Sequence, residues 1–315
     1  LNILFFCEIG MCQTQYKIAF HRIAPIQINT FGHSDTSGLP NIDYFISSKL
    51  FEHTKSDKYY SETLIKLNSL GIYYQNPLQL QNISTKSLFT KKQIVTFLEV
   101  NLPNIQINNI VLFVCMTTFM KINTSFLQTL LKLLQFQIKN QSTKHTYIIF
   151  NLYGITLTKT KLTKIIHSIQ TIFKHNLQNI IILNNFSEKN KLLKTQQFYF
   201  SVLQSANCIL EPFPFGGLNS TYDALSVNQA VISFPSNFLS GRFTFGLYKK
   251  INFTKTLAVS KDNYINIAYQ YANNIHNLRK NCQQYLQIQK HILFNDYESV
   301  KEYNLILRLL NYKII

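Results

Sequence analysis

The sequence NIVLFVC occupies residues 109–115 and opens the most regular part of the chain. Its unbroken apolar run predicts a buried strand. A helix is predicted for residues 125–136, where the leucines fall on one face. Further short strands are predicted at 146–150, 179–183, 208–210 and 230–234, alternating with helices at 160–173 and 192–205 and a helix start at 220–226. This alternation predicts an α/β fold with right-handed βαβ crossovers and a parallel sheet.

The flanking sequence is less regular. Strands are predicted at 2–6 and 43–46, and a short helix and turn at 59–67. The polar stretch 79–109 contains a Lys-Lys pair and Pro103 and is predicted to link two domains. Two domains also agree with the length of 315 residues. From Asn263 to the end the chain is predicted to be helical.

The composition restricts the classes of function. With 46% apolar and 14% aromatic residues, the chain is neither disordered nor collagen-like. The net charge is +17, but only four of the 31 basic residues are arginines, and the lysines are spread along the chain. Arginine is the residue that best makes bidentate contacts to phosphates and bases. The charge therefore predicts a diffuse attraction for anions, and nucleic-acid binding is the weakest hypothesis.

Targeting and redox features are also few. No apolar run approaches the roughly 18 residues that span a bilayer, and the N-terminal NILFF lacks the basic segment and cleavage site of a signal peptide. We therefore predict a cytoplasmic protein without a membrane partner, in a chain that starts inside a domain. The five scattered cysteines favour reduced, buried thiols over a disulfide framework or a zinc site.

Two loops follow predicted strands, at the carboxyl ends where parallel sheets bind ligands. The first is MTTFMKIN (116–123), which contains Lys121. The second is EPFPFGGLNSTYDAL (211–225), in which two prolines make a rigid exit from the strand. Gly216 and Gly217 then allow a ligand to approach the backbone closely.

The second loop runs into a predicted helix. Asn219, Ser220 and Thr221 fall at its start, where side-chain donors, N-cap chemistry and free backbone N–H groups suit an anion. Asp223, one turn further, is placed to accept a hydrogen bond from a ribose hydroxyl. The alternatives are a rigid turn with a capped helix and, for Lys121, a solvated lysine.

These loops resemble glycosyltransferase family 41, which contains the O-GlcNAc transferases and the bacterial cytoplasmic N-glucosyltransferases of adhesins. The bacterial type is the more similar. The resemblance rests on FPFG (213–216) with Asn219 and Asp223, and on TTFMKIN (117–123). It extends to an N-terminal catalytic stretch, given by IAPIQ (23–27), GHSDTS (32–37) and IDY (42–44). A further family marker is YSETL (60–64).

The resemblance implies a GT-B fold, in which two Rossmann-like domains face a cleft, with the N-terminal domain incomplete here. Residues 1–104 would be the C-terminal part of the acceptor-side domain plus a linker. Residues 105–285 would form the nucleotide-sugar domain, and 286–315 would be helices that cross back. The implied reaction is inverting, metal-independent transfer of a hexose of glucose or GlcNAc type from a UDP-sugar to Asn or Ser/Thr side chains of an acceptor polypeptide.

The resemblance also implies roles for individual residues. Lys121 would neutralise the diphosphate of the donor. The nucleotide-sugar loop that binds the donor would contain Gly216 and Gly217. Asn219, Ser220 and Thr221 would bind the diphosphate, and Asp223 would hold the ribose. On the acceptor side His33 is the candidate base, with Thr36 and Ser37 lining the same pocket. Two alternatives stay open, namely a structural role for His33 and a catalytically degenerate GT-B scaffold that acts as a binding module.

Overall fold

The computed structural model describes residues 1–98, 106–151, 159–183 and 195–312. The chain divides into two compact units. The first comprises Leu1–Gln75, Ser236–Phe253 and Ile292–Ile315, and the second comprises Asn76–Pro235 and Thr254–His291. None of the helices in the described ranges is long and apolar enough to cross a membrane.

Both units are built from parallel strands with helices between them. The strands are β1 (Ile3–Phe6), β2 (Ile26–Thr30), β3 (Tyr44–Ser48), β4 (Thr63–Leu67), β5 (Ile110–Met116), β6 (His145–Asn151), β7 (Ile180–Leu183), β8 (Cys208–Leu210) and β9 (Val231–Ile232). The α-helices are α1 (Gln13–Ile18), α2 (Pro77–Leu80), α3 (Lys91–Phe97), α4 (Thr124–Asn140), α5 (Lys159–Phe173), α6 (Gln196–Ser205), α7 (Asn219–Ser226), α8 (Phe243–Lys250), α9 (Lys261–Ala272), α10 (Leu278–Gln289) and α11 (Tyr297–Tyr312). The predicted α/β fold class is confirmed.

The first unit contains a four-stranded sheet in the order β1-β2-β3-β4, with every neighbouring pair parallel. One face packs against α11, whose Leu310 joins Ile28 and Ile46 in an apolar cluster. The helix is also fixed by hydrogen bonds, because the Glu302 carboxylate accepts from the backbone N–H groups of Asn68 and Ser69 at 3.0 and 2.8 Å. Helix α11 therefore covers part of one face of the sheet β1-β2-β3-β4.

The second unit contains a five-stranded parallel sheet in the order β7-β6-β5-β8-β9. β5 lies in the middle and all seven of its residues are buried. The chain runs outward from β5 through β6 to β7, and then returns to the other side of β5 to form β8 and β9. The strand order thus reverses between β5 and β8, which makes their carboxyl ends the topological switch point where such sheets bind ligands.

The two units differ from the predicted domain boundaries. The change from first to second unit falls after Gln75, while the predicted boundary at 104/105 lies outside the described residues. Residues before that boundary fold with the second unit because Leu78, Ile94 and Val95 enter its core. Ser236–Phe253 belongs to the first unit, where Phe243 packs on Phe51 with ring centroids 5.3 Å apart.

Two local predictions were wrong. The helix and turn predicted at 59–67 contain strand β4, which pairs with β3 in the register Tyr44↔Thr63. The predicted linker 79–109 contains α3, whose first turn is closed by a capping box between Thr90 and Gln93. β2 was not predicted at all. Its sequence IQINT does alternate apolar and polar residues, but the run is short, and the polar Gln27 and Asn29 are fully buried instead of facing solvent.

Candidate functional site

Two loops meet at the switch point of the second unit. The loop after β5 passes through a single 3-10 turn, Phe119–Lys121, into α4. The loop after β8 leads into α7. They are joined by two hydrogen bonds, from Lys121 Nζ to the Gly216 carbonyl and from Asn123 Nδ2 to the Phe213 carbonyl at 2.7 Å. The structure therefore brings together the two loops that the sequence singled out.

Lys121 is a half-buried cation at this junction. Its ammonium lies 4.2 Å from the centroid of the Phe215 ring, within the range of a cation–π contact. Burial lowers the pKa of Lys121, and the nearby carboxylate of Glu211 acts in the opposite direction. The sequence-based alternative of a solvated lysine does not describe this side chain, because its ammonium is held by the neighbouring loop.

Glu211 fixes the shape of the second loop. One carboxylate oxygen accepts from the Gly217 N–H at 2.8 Å, and the other accepts from the Ser233 hydroxyl. A Cβ atom on Gly216 would lie 2.8 Å from the Glu211 carboxyl carbon, and one on Gly217 would lie 2.3 Å from Ser220 Oγ. A side chain at either position would displace the Glu211 carboxylate or the Ser220 hydroxyl, so both glycines suit the close packing of the loop as well as the ligand access that the sequence suggested.

The N-terminus of α7 is open. Its N-cap is Leu218, which supplies no side-chain hydrogen bond, so the predicted N-cap chemistry at Asn219–Thr221 is wrong by position. These three residues form the first turn of the helix instead. The backbone N–H of Thr221 donates to the Leu218 carbonyl at 3.0 Å, whereas those of Asn219 and Ser220 donate to no atom in the described part of the chain. Two free N–H groups at the positive end of a helix dipole suit an anion.

Asp223 lies further along α7. Its Oδ2 accepts a hydrogen bond of 2.8 Å from the Tyr199 hydroxyl of α6. Burial raises the pKa of Asp223 to about 6, although the bond from Tyr199 lowers it in part. A carboxylate buried in this way destabilises the folded state when it is ionised. Groups whose pKa is shifted in this way are concentrated at functional sites.

The acceptor-side candidates lie in the first unit, in the loop after β2. His33 packs against the turn at Gly10, where a Cβ would lie 3.0 Å from the imidazole. Its Nδ1 lies 3.4 Å from the Asp35 backbone nitrogen and 4.0 Å from the Asp35 carboxylate. The imidazole keeps 32% of its surface exposed, so it is both oriented and accessible.

Thr36 and Ser37 are engaged with Glu62. The Glu62 carboxylate accepts from Thr36 Oγ1 and Ser37 Oγ at 2.5 Å each, from the Ser37 N–H at 2.8 Å and from Ser61 Oγ at 3.0 Å. Burial alone would raise the pKa of Glu62, but these hydrogen bonds outweigh it and hold the pKa below its usual range. The two hydroxyls therefore tie down the loop that carries His33.

Three structurally important residues received no role from the sequence. They are Glu62, Glu211 and Tyr199. Glu62 directly precedes β4, and Glu211 directly follows β8. A carboxylate at the end of an apolar strand is a signal that points to buried hydrogen bonding. Each carboxylate also has partners more than 20 residues away, Ser233 for Glu211 and Thr36 and Ser37 for Glu62, and such pairing has no sequence signature.

Comparison with solved structures identifies the class of fold. The chain aligns over its full length with 54% of an O-GlcNAc transferase variant from Thermobaculum terrenum, with a TM-score of 0.74 and 14% identity. It also aligns over 98% of its length with a trehalose-6-phosphate structure from E. coli bound with UDP-2-fluoro glucose, with a TM-score of 0.57 and 10% identity. The chain therefore has the GT-B fold of glycosyltransferases.

No protein-family model matches the chain. Comparison with curated sequences finds relatives whose names give an enzymatic activity. It is 22% identical over 295 residues to the UDP-glucose:protein N-beta-glucosyltransferase of Actinobacillus pleuropneumoniae, covering 93% of this chain and 41% of the relative. It is 20% identical over 260 residues to the probable UDP-N-acetylglucosamine–peptide N-acetylglucosaminyltransferase SPINDLY of Petunia hybrida, covering 82% of this chain and 24% of the relative. The resemblance to glycosyltransferase family 41 is confirmed, and the chain spans less than half the length of either relative.

The raised pKa of Asp223 has a measurable effect on stability. Because the folded state binds the proton more tightly than the unfolded chain, ionisation costs stability above the folded pKa of about 6. Asp223→Asn keeps an acceptor for Tyr199 and removes this cost. We expect it to raise the free energy of unfolding by about 1–3 kcal/mol at pH 7.5, with the gain shrinking between pH 6 and pH 4. Urea denaturation of the variant and the wild type at pH 7.5 and at pH 4 measures this difference in the free energy of unfolding. Asp262→Asn, at an exposed position, is the control, and a loss of stability in Asp223→Asn at pH 7.5 contradicts the assignment.

The Glu62 cluster has the opposite pH dependence. Its carboxylate is stabilised in the folded state, so the stability it supplies is present above the unfolded pKa of about 4.5 and is lost as the pH falls through the lower folded value. Glu62→Gln places an amide among hydroxyl donors and should cost about 1–3 kcal/mol at pH 7. Urea denaturation should show that the difference from wild type shrinks at pH 3. The exposed Glu298→Gln is the matched control, and equal small effects of both variants would refute the role of Glu62.

Proposed function

We propose that this chain is the donor-binding part and a portion of the acceptor side of an inverting, UDP-sugar-dependent protein glycosyltransferase. The observation that carries the proposal is the junction at the switch point, where the Lys121 loop is hydrogen-bonded to the loop that opens α7. The relatives support it, since both are glycosyltransferases that are named for a UDP-sugar and a protein or peptide.

The diphosphate of the donor would bind at the start of α7. The free N–H groups of Asn219 and Ser220 would donate to its oxygens, and the ammonium of Lys121 would supply a full positive charge. These groups are held in place before the reaction, so they would stabilise the negative charge that develops on departing UDP. Thr118 Oγ1 adds a buried hydroxyl without a described partner in the Lys121 loop.

The ribose would be held by Asp223. Its Oδ2 accepts from Tyr199, and Oδ1 accepts from no atom in the described ranges. A carboxylate oxygen in this state is a strong acceptor for a sugar hydroxyl. Binding of a ribose hydroxyl would also offset part of the cost of burying the charge.

The acceptor would be an Asn or Ser/Thr side chain of a polypeptide, and His33 is the residue proposed to act on it. An oriented, partly exposed imidazole is suited to accept a proton from a hydroxyl or to hydrogen-bond an amide. The cluster around Glu62 would keep this loop in place. The donor hexose would be glucose or N-acetylglucosamine, the sugars in the names of the two relatives.

The donor site is tested by calorimetric titration of the chain with UDP in the presence of EDTA. Lys121→Gln retains a donor for the Gly216 carbonyl but removes the charge, so the loop should keep its shape. We expect saturable binding by wild type and at least tenfold weaker binding by the variant, or about 1.4 kcal/mol. Addition of Mg²⁺ should leave the wild-type affinity unchanged.

Lys132→Gln is the matched control because Lys132 is an exposed lysine on the adjacent helix α4. It removes the same charge outside the site and should bind UDP as wild type does. If UDP does not bind the folded wild-type chain, the proposal fails and the degenerate scaffold becomes the better description. Equal weakening in both lysine variants would show that only the net charge matters.

A further inference from the structure

A polar cavity lies in the second unit, at the amino end of β5, the opposite end of that strand from the switch point. It has a volume of about 320 Å³ and is lined by polar side chains that include Lys91, Arg279, Asn207, Gln204 and Gln283. Lys91 Nζ donates to the carbonyl of Ile110, the first residue of β5. The seven-residue strand β5 therefore separates this cavity from Lys121 by about 20 Å.

The cavity contains two half-buried cations. Besides its bond to Ile110, Lys91 Nζ donates to Asn207 Oδ1 at 2.6 Å. Arg279 Nη1 donates to the Ala272 carbonyl at 2.8 Å. All of these acceptors are neutral, and in the described part of the chain neither cation forms an ion pair with a carboxylate. The positive charge is therefore hydrogen-bonded but not neutralised.

The positive charges of Lys91 and Arg279 also repel each other. Burial is the main cause that lowers the pKa of Lys91 to about 8, and repulsion from Arg279 and from Lys144 lowers it further. Like charges brought together without a counter-charge are unfavourable unless an anion accompanies them. A bound anion would relieve the repulsion and accept hydrogen bonds from the remaining N–H groups of the guanidinium and the ammonium.

The size and lining of the cavity indicate what that anion is attached to. A volume of about 320 Å³ is at the lower end of small-molecule pockets and exceeds the needs of a single phosphate ion. The side-chain amides of Gln204 and Gln283 donate to no described atom, so they are available to a polar ligand. We propose that this cavity binds a small phosphorylated molecule, with its phosphate between Lys91 and Arg279, independently of the donor site.

The experiment is a calorimetric titration of the chain with inorganic phosphate and, separately, with glucose 6-phosphate. Arg279→Gln removes a cation from the cavity. Gln283→Glu keeps Arg279 and its contact to α9 but places a competing carboxylate one helical turn away. We expect each variant to weaken binding of both probes at least tenfold, and glucose 6-phosphate to bind wild type more tightly than phosphate. Because Gln283→Glu leaves the structural contact of Arg279 intact, it keeps the test valid if Arg279→Gln does not fold.

Two control variants distinguish binding in this cavity from binding elsewhere on the chain. Lys280→Gln removes an exposed charge from the same helix, and Lys121→Gln removes the charge of the proposed donor site. Lys280→Gln should bind the probes as wild type does, and Lys121→Gln should retain the binding event that Arg279→Gln weakens. Weakening by Lys280→Gln to the same extent would reduce the effect to the net charge of +17, and weakening by Lys121→Gln alone would assign the phosphate to the donor site. Equal affinity for the two probes would overturn the assignment to a phosphorylated molecule, and absence of binding would overturn the site.

Discussion

The buried carboxylate of Glu211 is the interaction on which the donor side depends. It lies directly after β8, and its two oxygens accept from Gly217 in the same loop and from Ser233 after β9. Its own carbonyl accepts from the Tyr264 hydroxyl of α9 at 3.0 Å. These bonds hold the loop close against the sheet, which places the Gly216 carbonyl where Lys121 meets it and leaves the first turn of α7 open. One carboxylate therefore fixes both the cation and the helix terminus.

Charge is distributed differently at the two ends of the same sheet. At the carboxyl end of β5 and β8, the Lys121 ammonium has Glu211 as a nearby counter-charge. At the amino end, the acceptors of Lys91 and Arg279 within the described residues are all neutral. The net charge of +17 conceals this difference because most lysines are on the surface. The half-buried cations indicate anion-binding sites better than the net charge does, because burial makes a charge without a counter-charge costly.

The sequence allowed much of the second unit to be predicted, because apolar strands of the β5 type and amphipathic helices have local signatures. The position of the two loops directly after β5 and β8 follows from the same signatures. The first unit was harder to predict. Gln27 of β2 is buried because its side chain bonds to the backbone around it, accepting from the Ile23 N–H at 2.9 Å and donating to the Asn41 carbonyl at 2.8 Å. β4 is fixed by pairing with β3, and Glu62 by hydroxyls 25 and 26 residues away. Such partners are set by tertiary structure, which local periodicity does not report.

The central claim is that a nucleoside diphosphate binds at the open start of α7. Backbone amide NMR of the isotope-labelled chain during titration with UDP tests it most directly, because the amides of Asn219 and Ser220 are themselves the proposed donors. The account predicts that the largest saturable shift changes fall on residues 216–221 and on Lys121. Changes centred on the cavity of Lys91 and Arg279, with the amides of Asn219 and Ser220 unmoved, would contradict it.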